Sequence, residues 1–453
     1  MKKLFGTDGV RGVANQELTP ELAFALARAQ AHDLIQQGIE RPRLLIGQDT
    51  RCSSDLLACA YGAGLMATGA DVVLVGVLPT PGVAYLTRTH GFHGGVMISA
   101  SHNPVPDNGI KLFGSDGYKL NDEASRRLEQ LIADGSSIAR PTGTAVGHRI
   151  EQPRLGQDYL DYLYTLAPTA LQGLKVVLDC GFGAAYEIAP ALLKRLGAKV
   201  YAIHDENDGS RINVDCGSTN LARLAASVLE HQANLGLAFD GDADRCLAVD
   251  ERGQEVDGDR MLLIFAGAMK AAGTLRGTGV VATVMSNFGL ERALDEAGIA
   301  LHRAQVGDRY VLELMAKEGC NLGGEQSGHL LFLDHATTGD GTLSGMMLAC
   351  CLQKQQIPLS ELAGKLQPLP QKLVNIRAPE KDRLALDSEI SQAIAAVEQR
   401  LAGRGRLLVR PSGTEPLIRL MAEGPDMAEL DEILTDLATL VETRLGSAAS
   451  PGS

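Results

Sequence analysis

The sequence predicts an α/β protein of three related α/β domains followed by a smaller C-terminal α+β domain. Three observations predict it. The chain has 453 residues, more than one hydrophobic core organises. One strand–turn–helix–turn–strand rhythm occurs three times, at intervals of roughly 100–130 residues. After about residue 368 the rhythm gives way to a different alternation of strands and helices.

The first repeat opens with the strand Arg43-Leu44-Leu45-Ile46-Gly47, passes a polar turn into a helix over 53–68, and returns as a strand at 70–75. The second opens with Lys175-Val176-Val177-Leu178-Asp179 and turns through Gly181 and Gly183. An apolar helix then runs to Leu196 and a strand follows at 198–201. The third comprises strand 279–283, a turn at 286–289, a helix over 290–296 and a strand at 299–302. Branched residues mark the strands, and the joints from helix to strand are short. The last region predicts a linker and strand over 369–376, a helix near 385–401, strands at 406–409 and 417–421, and a helix near 426–445. The expected domains are 1–153, 154–254, 255–368 and 369–446. The small, polar tail 447–453 is expected to be disordered.

A formal net charge of -13 argues against nucleic acid or anionic membrane as partner. A local basic pocket can still take an anion. No apolar targeting segment follows Lys2 and Lys3, and the apolar runs near 261–272 and 344–352 are too short to span a bilayer. They read as buried helices, and the expected location is cytoplasmic. The eight cysteines form no C-x-x-C pair and read as reduced core thiols.

Four polar constellations interrupt this framework. In Met97-Ile98-Ser99-Ala100-Ser101-His102-Asn103-Pro104 an apolar strand ends in a loop, stiffened by Pro104 and Pro106, that leads to Lys111. Ser101 can carry a phosphoryl group or merely cap the turn. In Phe239-Asp240-Gly241-Asp242-Ala243-Asp244-Arg245 three carboxylates at period two need a counter-charge, and a hard divalent cation such as Mg²⁺ suits them. A calcium loop does not fit, because Arg245 stands where that loop requires glycine. Gly323-Gly324-Glu325-Gln326-Ser327-Gly328-His329 offers close backbone approach, hydroxyl-pairing groups at Glu325 and Ser327, and a titratable His329. Arg410-Pro411-Ser412-Gly413-Thr414-Glu415-Pro416, with Arg419 beyond it, combines guanidinium, hydroxyl and free amide donors suited to phosphate. The glycines at 181 and 183 do not complete a dinucleotide fingerprint, since Tyr186 fills its third position.

In this order and spacing the four segments resemble the α-D-phosphohexomutase superfamily over essentially the whole chain. Lys3 to Gly12, the Ile98–Pro104 loop and Gly324–His329 are most similar to its amino-sugar branch. The resemblance implies mixed sheets and four domains around one central cleft. It implies that Ser101 is the phosphorylated serine. Asp240, Asp242 and Asp244 would hold one Mg²⁺ per subunit, with the Ser101 phosphate as a further ligand. Glu325 and Ser327 would read the sugar, and Arg410, Ser412, Gly413, Thr414 and Arg419 would bind the distal phosphate. Arg11, Lys111, Arg245, Asp308, Arg309 and His329 would border the reaction zone. The implied partner is a small phosphosugar, with a hexose 1,6-bisphosphate as activator, neither nucleic acid nor membrane, and a homodimer as a possible assembly. The implied reaction is a double transfer between sugar positions 6 and 1, with mannose and glucose phosphates as the alternative substrates. Lys111, partnered by His329, is the expected acid/base group, which requires a depressed lysine pKa. A hinge near 368–372 is expected to open the cleft while the intermediate turns over.

Overall fold

The computed structural model describes residues 4–6, 8–134, 138–412 and 415–446. Its first sheet contains β1 (Val10–Val13), β2 (Arg43–Gln48), β3 (Asp71–Val77), β4 (Gly94–Ile98), β5 (Asp107–Gly114) and β6 (Arg149–Glu151), in the order β1-β5-β4-β2-β3-β6. β4, β2, β3 and β6 are mutually parallel, while β5 runs antiparallel to both β4 and β1. Leu44, Leu45 and Ile46 are all buried, as expected for a parallel strand covered on both faces. Helices Pro20–Gln36 and Ser54–Met66 pack tightly together because Gly64 has no side chain: a Cβ there would lie 2.4 Å from the Phe24 carbonyl oxygen.

The second sheet has β7 (Lys175–Asp179), β8 (Lys199–Ile203), β9 (Leu235–Phe239), β10 (Cys246–Asp250) and β11 (Glu255–Val256), ordered β11-β10-β9-β7-β8. Again the interior pairs are parallel, and an antiparallel hairpin, β9–β10, turns the edge. The third has β12 (Gly279–Thr283), β13 (Ala300–Ala304), β14 (Leu322–Gly324) and β15 (Leu330–Phe332), with β12 and β14 parallel and β14 and β15 antiparallel. The fourth, β16 (Gln371–Arg377), β17 (Arg406–Pro411) and β18 (Leu417–Glu423), is wholly antiparallel, with β18 central.

This topology places the motifs. Each polar constellation fills an antiparallel connection: Ser101 lies between β4 and β5, the aspartates between β9 and β10, Glu325–His329 between β14 and β15, and Ser412 between β17 and β18. In the three mixed sheets that connection leaves the carboxyl end of a strand parallel to its interior neighbour, the usual place for a ligand site in open α/β sheets.

Contacts divide the chain into two compact units, Met1–Thr283 with His302–Gly364, and Val284–Leu301 with Lys365–Ser453. The helix expected in the third repeat, Phe288–Glu296, is thus grouped with the C-terminal sheet. The cause lies in a buried pair: Glu423 accepts from Arg406 Nε at 2.7 Å and from the Phe288 amide at 2.8 Å, while Arg406 donates to the carbonyls of Val284 and Ser286.

The apolar runs form helices Gly258–Ala271 and Gly341–Gln355, both largely buried. Among the described residues no helix is long and apolar enough to cross a membrane. All eight cysteines are free and six are buried; Cys52 and Cys59 are exposed, so these two are not the core thiols expected. Residues 447–453 lie outside the described residues.

Candidate active site

Ser101 sits in the turn that β4 feeds, with φ 56°, in the left-handed region that residues with a Cβ seldom occupy. Its side chain is buried, and Oγ donates to Asp240 Oδ2 at 2.5 Å. His102 Nδ1 stands 3.3 Å from the same Oγ. Burial, with Arg245 and Arg11 nearby, lowers the His102 pKa to about 4, so this ring is neutral at physiological pH.

The aspartate loop turns at Ala243, also left-handed at φ 56°, and its buried carboxylates converge, with one oxygen of each lying within 4.8 Å of the others. Asp240 Oδ1 accepts the Arg245 amide at 3.2 Å and Asp242 Oδ2 accepts from Thr80 and Lys111. Asp242 Oδ1 and Asp244 Oδ1 are buried with no hydrogen-bond partner among the described residues. Burial, then Asp244 and Asp242, push the Asp240 carboxyl well up. Unpaired buried oxygens in a repelling cluster are what a hard dication would relieve, so the donor set fits Mg²⁺. Among the described residues one other group, Asp179, His204 and Cys216, has ligand atoms within the same distance. There Asp179 Oδ1 already serves the Gly181 amide and His204, and burial pushes the Cys216 thiol up to about 12, keeping it neutral.

Lys111 points from β5 into the cluster, fully buried, with Nζ 2.6 Å from Asp242, 3.3 Å from Asp244 and 3.1 Å from Asp8. Burial alone would lower its pKa, but Asp242, Asp244 and Asp8 outweigh it and hold it well above the ordinary lysine value. The three carboxylates favour its charged form, against the depressed value that a lysine base requires. Asp8 and Lys119, which sequence reasoning missed, extend this network: Lys119 bridges Asp8 and Asp308, and Arg11 pairs with Asp8. His329 is buried between Asp244 (Nδ1 to Oδ1, 3.6 Å) and Asp308 (Nε2 to Oδ2, 3.9 Å). Burial works against its charged form, yet Asp244 and Asp308 raise its pKa above the ordinary value.

A cavity of about 520 Å³ adjoins these groups, with Arg11, Asp244, Arg245, Asp308, Glu325 and His329 on its walls. Glu325 accepts the Gly307 amide at 3.1 Å and Ser327 at 3.4 Å, so the hairpin presents both groups together. Arg309 pairs with Glu313 and Asp122 on the wall of an adjoining cavity of about 260 Å³, which shares Lys119, Asp308 and His329 with the first.

In the C-terminal unit Arg410 and Arg419 are cross-strand neighbours on β17 and β18. Arg419 Nε is buried without a hydrogen-bond partner among the described residues, and burial with Arg419 lowers the Arg410 pKa. Arg419 Nη2 pairs with Glu415 Oε2 at 3.4 Å, and two guanidiniums this close together suit a phosphate. Ser412 closes the strand end by donating its amide to the Leu417 carbonyl, and Lys381, another group missed, donates to the carbonyls of Ser412 and Glu415. Gly413 and Thr414 lie outside the described residues.

Comparison with known proteins agrees with this layout. Family models for phosphoglucomutase/phosphomannomutase match in sequence: alpha/beta/alpha domain I over residues 2–139, domain II over 157–253, domain III over 257–369 and the C-terminal domain over 373–440. A phosphoglucosamine mutase of Caldanaerobacter subterraneus subsp. tengcongensis is 51% identical over 447 residues, covering 98% of this chain and 100% of its own. One from Moorella thermoacetica is 52% identical over 438 residues, covering 96% and 98%. The crystal structure of a phosphoglucomutase/phosphomannomutase family protein from Burkholderia thailandensis superposes with a TM-score of 0.84 at 26% identity, covering 100% and 99%. The architecture of three mixed sheets and one antiparallel sheet is thus that of the four family domains. Sharing about half its residues with such enzymes along nearly its full length, the chain belongs to the bacterial phosphoglucosamine mutases of the α-D-phosphohexomutase superfamily.

Proposed function

We propose that this mutase interconverts α-D-glucosamine 6-phosphate and 1-phosphate by passing a phosphoryl group through Ser101, with a 1,6-bisphosphate as intermediate. The observation that carries the reading is the seat of Ser101, whose Oγ is held on an aspartate triplet with two buried oxygens that accept no hydrogen bond from the described residues. Asp240, Asp242 and Asp244 would hold Mg²⁺, which when bound neutralises charge on the phosphoryl oxygens.

The remaining steps belong to the chain. As the Ser101 Oγ–P bond breaks, a bond forms between phosphorus and O1 or O6 of the sugar; the second transfer reverses this with the other phosphate. Lys111 offsets the carboxylate charge around Ser101. We assign proton exchange with the sugar hydroxyl to His329, which is the titratable imidazole between Asp244 and Asp308 on the cavity wall. Glu325 and Ser327 pair with sugar hydroxyls, Arg11, Arg245 and Asp308 border the reacting phosphate, and Arg410, Ser412 and Arg419 hold the distal phosphate, together with Gly413 and Thr414. Arg309 is assigned no more than a rim contact. We retain 1–153, 154–254, 255–368 and 369–446 as the domain bounds, a cytoplasmic location, and a homodimer as the candidate assembly acting on a phosphosugar.

Intact mass tests the reading. Exposure to a hexose 1,6-bisphosphate should add one phosphoryl group, absent in Ser101→Ala, and turnover should be fastest on glucosamine 6-phosphate among the glucosamine, glucose and mannose 6-phosphates. Modification at another residue, with activity retained in Ser101→Ala, would overturn it. Stoichiometric release of inorganic phosphate would point to a phosphatase instead.

A further inference from the structure

Ser101 is gripped at both ends of its backbone. Its carbonyl accepts from Arg51 Nη2 at 2.9 Å and from Asn213 Nδ2 at 2.8 Å. Its amide donates to Ser99 Oγ at 2.9 Å. Arg51 continues along the loop, with Nη2 donating to the Asn103 carbonyl at 2.7 Å and Nη1 to those of Pro104 at 2.6 Å and Asp107 at 2.9 Å. One guanidinium thus satisfies four carbonyls of the loop.

A single carboxylate organises both grips. Asp49, at the end of β2, accepts Arg51 Nε at 2.9 Å and the Arg51 amide at 3.0 Å. It also accepts Ser99 Oγ at 2.6 Å and Ser54 Oγ at 2.8 Å. The side chains of Asp49 and Arg51 are both 0% exposed. A buried ion pair is a weak source of net stability, so its worth here lies in what it holds. What it holds is strained: a left-handed non-glycine residue persists only where its surroundings over-determine it. Asn213 adds a second direction of restraint from the loop after β8, and also reaches the Asn103 carbonyl at 3.3 Å. Gly241 completes the fit, since a Cβ there would lie 2.5 Å from the Ser101 carbonyl oxygen.

We propose that Asp49, Arg51 and Asn213 form a clamp that keeps Ser101 left-handed and aims Oγ at the aspartate loop. They are positioning residues, because their contacts are to the carbonyls and hydroxyl groups that frame Ser101 and not to its Oγ. The proposal rests on the reading that Ser101 carries the phosphoryl group. Because the clamp acts on the nucleophile alone, its loss must appear in transfer and not in sugar binding.

The test uses full-length wild type, Arg51→Lys and Asn213→Ala. Phosphoryl uptake from glucose 1,6-bisphosphate is timed by intact mass, kcat and KM are measured on glucosamine 6-phosphate, and folding is followed by thermal melting. Lysine keeps the charge beside Asp49 but not the planar fork; alanine at 213 removes one donor and leaves the ion pair intact. Folded variants should lose about tenfold or more in both uptake rate and kcat, with KM within about twofold of wild type, as misplacement of a reacting group predicts. If Arg51→Lys does not fold, Asn213→Ala decides. Wild-type uptake and kcat in the folded variants would overturn the clamp, as would a loss confined to KM. A wild type that takes up no phosphoryl group on Ser101 would sink the underlying reading, and the clamp with it.

Discussion

Lys111 lies among Asp8, Asp242 and Asp244 with its Nζ wholly buried. Replacing it by methionine keeps the volume but leaves three carboxylates without their shared cation. Removing one partner of a buried pair typically costs about 3–5 kcal/mol, and Lys111→Met should lose about that much in urea unfolding with chelator present. Mg²⁺ should stabilise this variant more than wild type, since a dication substitutes for the missing charge at Asp242 and Asp244 though not at Asp8. An equal Mg²⁺ increment in both proteins would show that the lysine and the metal site are not linked. At this scale chemistry is legible where it is clustered along the chain, as in Asp240 to Asp244, and hidden where partners are remote. Lys119 meets Asp308 across 189 positions and Arg51 meets Ser101 across 50, so neither has company nearby in sequence to mark it. The surroundings of Lys111 are hidden for the same reason: Asp8, Asp242 and Asp244 all reach it from distant segments.

Elements carry a second kind of constraint. Helix Gly341–Gln355 begins on Asp340, whose Oδ1 accepts the Leu343 amide at 2.9 Å and whose Oδ2 accepts the Tyr159 hydroxyl at 2.8 Å. Burial is the leading cause that raises this carboxyl to about 6. The unfolded chain releases the same proton near the ordinary value of about 3.9. Because the folded state binds the proton more tightly, the contribution is complete below about pH 4 and fades as pH rises through about 6. Asparagine is an equally good cap and does not ionise. The stability of Asp340→Asn relative to wild type should therefore improve by up to about 3 kcal/mol between pH 4 and pH 7. Urea midpoints of both proteins at pH 4.5 and 7.5 check this, and a pH-independent difference would refute it. The helix itself was legible as an apolar run near 344–352. The cap was not, since nothing local announces that Asp340 is buried against Tyr159. Strand periodicity likewise located β2, β7 and β12 to within a residue or so, yet could not reveal that each functional loop joins antiparallel neighbours, because pairing partners come from elsewhere in the chain.

For the whole molecule, the sequence suggested a hinge near 368–372; the chain passes between the two compact units at 283–284, 301–302 and 364–365, and helix Phe288–Glu296 is grouped with the C-terminal sheet. The tie is Glu423, 0% exposed, which holds Arg406 and the Phe288 amide, while Arg406 holds the carbonyls of Val284 and Ser286. Local periodicity assigns that helix to the third repeat because strand, helix and strand follow one another there; only long-range pairing shows where it packs. Native-state hydrogen exchange in low urea tests the grouping. Amides of 288–296 should open together with those of helix Met427–Leu445, at one common free energy, and separately from those of β12 and β14. Glu423→Gln strips the charge from a buried pair, so it should lower that shared opening energy by about 3 kcal/mol while β2 and β7 keep theirs. Were 288–296 to open with β12 instead, and the variant to leave helix Met427–Leu445 unchanged, the helix would belong to the third repeat.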